Sequence, residues 1–128
     1  MNSVPASHRD LLSQPGIASL STVGPGGVPQ VTALWFLAEG EVVRTSLMKS
    51  RQKYKNMVSH PFATLFVIDP QNQGRTLEIR GEASFEEDPD LAFFERIIRH
   101  YGADPDTFTG REDRVILTLT PTRVVTMG

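Results

Sequence analysis

Residues 16–23 (GIASLSTV) and 28–37 (VPQVTALWFL) each alternate apolar with small or polar side chains, and only Gly24-Pro25-Gly26-Gly27 stands between them. Alternation at a period of two puts one set of side chains on each face of an extended strand. Two such strands joined by so short a connection run antiparallel, because a parallel pair needs a crossover of about a dozen residues or more. The pattern repeats down the chain. Residues 41–47 (EVVRTSL) read as a third strand after the Glu39-Gly40 turn, and 62–68 (FATLFVI) as a buried fourth. A polar turn at 69–74 leads into 75–85 (RTLEIRGEASF), where Leu77, Ile79, Ala83 and Phe85 share a face and Gly81 signals a bulge. Residues 115–120 and 123–126 close the chain as one strand, or as two short ones interrupted by Pro121.

Helical signals are fewer. Residues 7–12 can make one or two turns anchored by Leu11 and Leu12. A short helix following Ser50 is stopped at His60-Pro61, since the residue before proline is pushed out of the α region. The clearest helix opens at Asp88-Pro89-Asp90, with Asp88 as N-cap and Pro89 at the first position. Leu91, Phe94, Ile97, Ile98 and Tyr101 form its apolar stripe, Glu95 and Arg99 are spaced to pair, and Gly102 stops it. Strands joined mostly by short turns, with few helices, predict a mainly β (α+β) fold built as a small antiparallel barrel. The 128 residues, 39% hydrophobic and 22% charged, are expected to form one soluble domain over 1–128.

A net charge of −2 argues against nucleic acid or an anionic membrane as partner. No run approaches the roughly 20 apolar residues of a membrane span, and residues 1–14 do not resemble a signal peptide, so a cytoplasmic location is expected. The absence of cysteine excludes disulfides and thiol chemistry. His8, His60 and His100 are scattered without metal-ligand spacing, so no metal is expected.

Against this acidic background, residues 45–57 (TSLMKSRQKYKNM) gather Lys49, Arg51, Lys53 and Lys55. With Ser50 as N-cap, Tyr54, Met57 and Val58 fall on one buried face, and Arg51 and Lys53 fall in the first helical turn. Cations there oppose the helix macrodipole, at typically about 0.3–1 kcal/mol each. No acid occurs between Glu41 and Asp69, although Arg44 adds a further cation. Three explanations stand open: acids brought in from elsewhere in the fold, plain solvation, or a bound anion that gains free N–H groups, the dipole and the cations together. A phosphate suits the third, since Arg offers bidentate donors and Lys a point charge. Thr45 and Ser46 supply hydroxyls just before the helix, and Thr32 lies among Ala33, Leu34 and Trp35. A largely apolar wall beside a phosphate site suits a ring-bearing cofactor. Adjacent Trp35 and Phe36 should face opposite sides of their strand, one of them packing in the barrel.

The segments GGVPQVTALWF, VVRTSLMKSRQKYKNM, HPFATLFVID and RTLEIRGEASFEEDP, in this order, resemble the pyridoxamine 5′-phosphate oxidase-like, FMN-binding split-barrel family over residues 16–128. Within it the chain is similar to the members that use the deazaflavin coenzyme F420. Arg51-Gln52-Lys53-Tyr54-Lys55-Asn56 fits their Arg-x-Lys-x-Arg-Asn pattern with Lys for the second Arg, and LTPTRVVTMG matches their ending. The resemblance implies a six-stranded antiparallel split β-barrel with a few short helices. It also implies a homodimer with the cofactor at the interface, and a small-molecule substrate. By the same resemblance Ser50, Arg51, Gln52, Lys53 and Asn56 hold the phosphate and tail, while Thr32, Ala33, Leu34, Thr45 and Ser46 line the ring and ribityl chain. The activity implied is F420-dependent hydride transfer to a small unsaturated substrate, with no dedicated catalytic acid or base. An FMN-binding reductase, or a flavin- or haem-binding protein without turnover, are the alternatives. The FMN oxidases of the family carry an Arg where Thr32 stands and a C-terminal extension that binds pyridoxal phosphate. This sequence shows neither, so pyridoxamine phosphate oxidation is not expected.

Overall fold

The computed structural model describes residues 2–128. Seven strands form one antiparallel sheet: β1 (Ala18–Val23), β2 (Pro29–Leu34), β3 (Leu37–Glu39), β4 (Val42–Met48), β5 (Phe62–Ile68), β6 (Thr76–Glu87) and β7 (Arg114–Met127). Their order across the sheet is β2-β1-β5-β6-β7-β4-β3. Strands β2 and β3 follow one another in the chain yet lie at opposite edges, so the sheet must curl until its edges approach. The result is the expected split barrel, with seven strands in place of six.

The additional strand comes from a break in what the sequence pattern reads as one run, 28–37. Phe36 turns into the barrel at 1% exposure. Trp35 turns outward and stacks on Tyr101, ring centroids 4.4 Å apart and planes 8° from parallel. The Tyr101 hydroxyl fixes the break, accepting from the Phe36 N–H at 3.0 Å and donating to the Gly16 carbonyl at 2.7 Å. Alternation is preserved on both sides of the break, so periodicity alone does not show it.

The barrel interior is filled by alternate strand positions, among them Leu20, Leu65, Val67, Leu77, Ile79, Leu117 and Leu119, all buried. β7 runs unbroken through Pro121. A proline donates no ladder hydrogen bond, and β7 bulges beside it: Arg80 faces Arg123 and Gly81 faces Pro121, which leaves Thr122 as the extra residue. The Thr122 hydroxyl donates to the Arg80 carbonyl at 3.2 Å. The residue at the shift must be glycine, because a Cβ on Gly81 would lie 2.5 Å from the Thr120 carbonyl oxygen.

Three short helices sit outside the sheet: α1 (Asp10–Ser13), α2 (Gln52–Ser59) and α3 (Ala92–His100). Two expected helix starts shift. The N-cap of α2 is Arg51, in an extended conformation, and not Ser50. Its N–H is taken by the Met48 carbonyl at 3.1 Å, in a tight turn that carries β4 directly into the helix. Val58 is 59% exposed, and Asn56 is buried beside Met57 in its stead. α3 begins at Ala92 and not at Pro89, after Leu91 adopts a left-handed conformation with φ of 63°. Asp88 still serves as its cap from further back, accepting from the amides of Phe93 at 3.2 Å and Phe94 at 2.9 Å. Among the described residues no helix is long and apolar enough to cross a membrane.

Candidate cofactor site at the barrel seam

β3 is short and pairs with β4 only at Val42, Val43 and Arg44. Among the described residues, the edge of β4 turned away from β7 has no strand partner beyond Arg44, and β2 at the other end of the sheet is equally unpaired on its outer edge. A cavity of about 340 Å³ opens at this seam. Thr32 and Ala33 line it from β2, and Ser46, Leu47 and Met48 from β4. Arg51 and Lys53 enter from the start of α2, and Arg114 from the start of β7.

Five of the ten residues singled out in the sequence thus meet in one cavity: Thr32, Ala33, Ser46, Arg51 and Lys53. Ser50 and Gln52 are exposed. Thr45 faces inward, since β4 alternates Val43, Thr45 and Leu47 to the interior. Its hydroxyl donates to the Trp35 carbonyl at 2.6 Å, tying β4 to the chain beyond β2 across the seam. Leu34 packs against the barrel core behind it. Asn56 is buried and fixes α2 to the barrel. Its Nδ2 donates to Thr22 Oγ1 at 3.0 Å and Gln30 Oε1 at 2.9 Å, while its Oδ1 accepts from Gln52 Nε2 at 2.8 Å. Leu47, Met48 and Arg114 are lining residues that sequence reasoning missed. Arg114 in particular carries no local signal, because only its register opposite Met48 brings it to the seam.

Distant acids answer part of the cationic stretch. Arg44 pairs with Glu86 and lies 3.7 Å from Glu39, and Lys49 pairs with Glu87 at 2.6 Å. Arg51, Lys53 and Lys55 form no ion pair among the described residues. Burial, followed by the nearby Arg51 and Arg114 charges, holds the Lys53 ammonium below its ordinary pKa. The amides of Gln52 and Lys53, at the open end of α2, donate to no backbone carbonyl among the described residues. Thr32 Oγ1 is buried without a hydrogen-bond partner. Such a group costs free energy until something occupies it. Cations without acids, free helix amides and an orphaned hydroxyl beside Ala33, Leu47 and Met48 fit a cofactor that carries a phosphate and an apolar ring.

A larger cavity, about 490 Å³, lies between α1 and the end of β5, lined by Asp10, Gln14, Ile17, Ile68, Asp69 and Gln71 among others. Its carboxylates are already engaged, since Arg75 pairs with both Asp10 and Asp69. It offers neither an unpaired cation nor an orphaned donor, so the seam is the better candidate.

Comparison with known proteins bears on the fold and the family. The family model described as pyridoxamine 5′-phosphate oxidase matches residues 4–128. Among solved structures the chain is similar to an F420 reductase, at 38% identity and TM-score 0.89, over 95% of this chain and 98% of that one. It is also similar to a conserved hypothetical protein of Mycobacterium tuberculosis, at 18% identity and TM-score 0.78, over 98% and 86% of the two chains. A third likeness is to HutZ, the haem storage protein of Vibrio cholerae, at 17% identity and TM-score 0.71, over 98% and 96%. At these two lower identities the likeness is one of fold alone. No curated protein matches the chain. With the family model matching from residue 4 to residue 128 on an antiparallel split barrel, the chain belongs to the pyridoxamine 5′-phosphate oxidase family.

Proposed function

We propose that this protein is a deazaflavin (coenzyme F420)-dependent oxidoreductase that works as a homodimer and passes a hydride to a small unsaturated substrate. The observation that carries the proposal is the seam cavity, where Arg51 and Lys53 lack carboxylate partners among the described residues, beside the unpartnered Thr32 hydroxyl. Similarity to an F420 reductase over nearly the whole chain supports the choice of cofactor. Thr32 supports it too, being an uncharged residue on the strand where FMN oxidases of the family place an arginine.

The bound cofactor supplies the hydride chemistry, and the protein supplies binding, orientation and shelter. Arg51, Lys53 and the free amides of α2 hold the phosphate. The Thr32 hydroxyl bonds a polar edge of the ring or ribityl chain. Ala33 and Met48 form a wall that keeps water from the reacting face, with the Leu47 side chain packed in the barrel behind them. Ser50 and Gln52 meet the outer part of the tail, while Thr45, Leu34 and Asn56 hold the walls in place from behind. The cavity presents no carboxylate or imidazole among its lining residues, so no side-chain acid or base is assigned.

The test is titration of the purified protein with coenzyme F420 and with FMN, followed by fluorescence. Tighter binding of F420 is expected. Tighter binding of FMN would reassign the protein as an FMN-binding reductase on the same barrel, and a Soret band in the purified protein would point to haem. Binding of neither flavin-like cofactor up to about 100 μM, a weak affinity for a dedicated cofactor, ends the reading.

A further inference from the structure

The third cation of the seam cavity has no role in the reading above. Arg114 stands opposite Met48 at the first position of β7, and its guanidinium is held on three sides. It lies over the ring of Phe94, 4.2 Å from the centroid. Its Nε donates to the Gly110 carbonyl at 2.7 Å, and its Nη1 is 3.4 Å from the Ser46 carbonyl. Gly110 permits this approach, since it takes a φ of 72° and a Cβ there would lie 3.4 Å from Arg114 Nη2. Nη2 itself donates no hydrogen bond among the described residues.

A half-buried guanidinium normally meets a carboxylate. Arg114 forms no ion pair among the described residues. Of the two acids whose charge acts on it, Asp88 has both carboxylate oxygens committed to the amides of Phe93 and Phe94, and Glu112 is exposed. Burial, then repulsion from Arg51 and Arg111, depresses its pKa below the ordinary arginine value. An anion in the cavity relieves that repulsion.

Resting on the phosphate site proposed above, we infer that Arg114 is an anion-binding residue that grips the phosphate through Nη2, so that recognition of the phosphate-bearing ligand depends on β7 as well as on α2. The competing role is mechanical: Arg114 bracing the 101–113 connection through Gly110 and Phe94 alone. The two roles separate when affinities are measured for a pair of ligands, coenzyme F420 and the same deazaflavin nucleoside without its phosphate and tail.

In Arg114→Gln the affinity for F420 is expected to fall at least about tenfold while that for the phosphate-free deazaflavin stays within about twofold. Arg114→Lys, which keeps the charge but loses the planar fork, should recover part of the difference. Equal weakening of both ligands, or no weakening of either, overturns the inference and leaves Arg114 as a brace. If the Gln variant does not fold, the Lys variant decides alone: a ratio of the two affinities unchanged from the parent overturns the inference, and a lowered ratio supports it. Failure of the unmodified protein to bind F420 removes the phosphate site itself, a result distinct from a bound but Arg114-indifferent cofactor.

Discussion

Thr32 separates what stabilises the empty protein from what binds a ligand. Its hydroxyl is buried with no partner, and an unsatisfied buried polar group costs about 1–3 kcal/mol. Thr32→Val keeps the shape and removes the group, so the cofactor-free protein should melt at the same temperature or higher. The same change removes the hydrogen bond proposed between Thr32 and the cofactor, and affinity should fall by roughly five- to tenfold. Thermal melting and a binding titration on one preparation check both halves, and a lower melting temperature for the empty variant would contradict the first. Lys53 gives a second prediction through pH. Only the protonated ammonium attracts phosphate, and its pKa sits below the usual lysine value of 10.5 because of burial and then Arg51 and Arg114. Cofactor affinity should therefore fall as pH rises through that depressed value, earlier than an ordinary lysine would allow. Stability of the empty protein should move the other way over the window between the folded and unfolded values, rising as the buried charge is lost. Lys53→Arg should flatten the alkaline limb in binding titrations across pH; an unchanged limb assigns it to another group.

At the scale of the element, α2 is built against its own dipole. Arg51 caps the helix and Lys53 occupies its first turn, where negative charge is favoured by about 0.3–1 kcal/mol per residue. Reversing both, Arg51→Glu with Lys53→Glu, should abolish cofactor binding yet hold or raise the melting temperature of the empty protein. A clear loss of apo stability would instead expose a structural ion pair. This helix was largely legible in the sequence, because its composition is local: cations crowded around Tyr54 and before Met57, a proline after His60, no acid between Glu41 and Asp69. β1, β2, β4, β5 and β6 were legible for the same reason, as was the bulge at Gly81. What escaped depended on distant partners. The break after Leu34 is set by Tyr101, far along the chain. The start of α3 moves because Leu91 takes a left-handed turn that lets Asp88 reach back over two amides. Glu86 and Glu87, which neutralise Arg44 and Lys49, and Arg114, which does not neutralise anything, reach the seam through β6–β7–β4 register. No spacing rule within one segment encodes that register.

For the whole molecule, the outer face of β2-β1-β5-β6-β7 is the surface on which the proposed homodimer can be tested. Strand alternation turns Val31 out on β2, Phe62 and Ile68 on β5, and Val125 and Met127 on β7, with exposures from 36% to 65%. The charges between them are partly self-satisfied, Arg80 pairing with Glu78 on the same strand. A face of this kind on a single chain suits a second copy better than bulk water. It begins two positions from Ala33, so a partner seated there would also close over the seam cavity. Val31→Asp tests both points at once. In an isolated chain the substitution adds a charge to a side chain already 64% exposed and should change folding little. Buried between two chains, an unpaired carboxylate costs several kcal/mol, enough to dissociate an interface of ordinary strength. Light scattering behind size exclusion should show the parent as two chains and the variant as one, with F420 binding weakened in the variant although Arg51, Lys53 and Thr32 are intact. A dimeric variant with parental affinity removes this face as the interface. A monomeric variant that still binds F420 at parental affinity keeps the interface but makes each seam complete within its own chain.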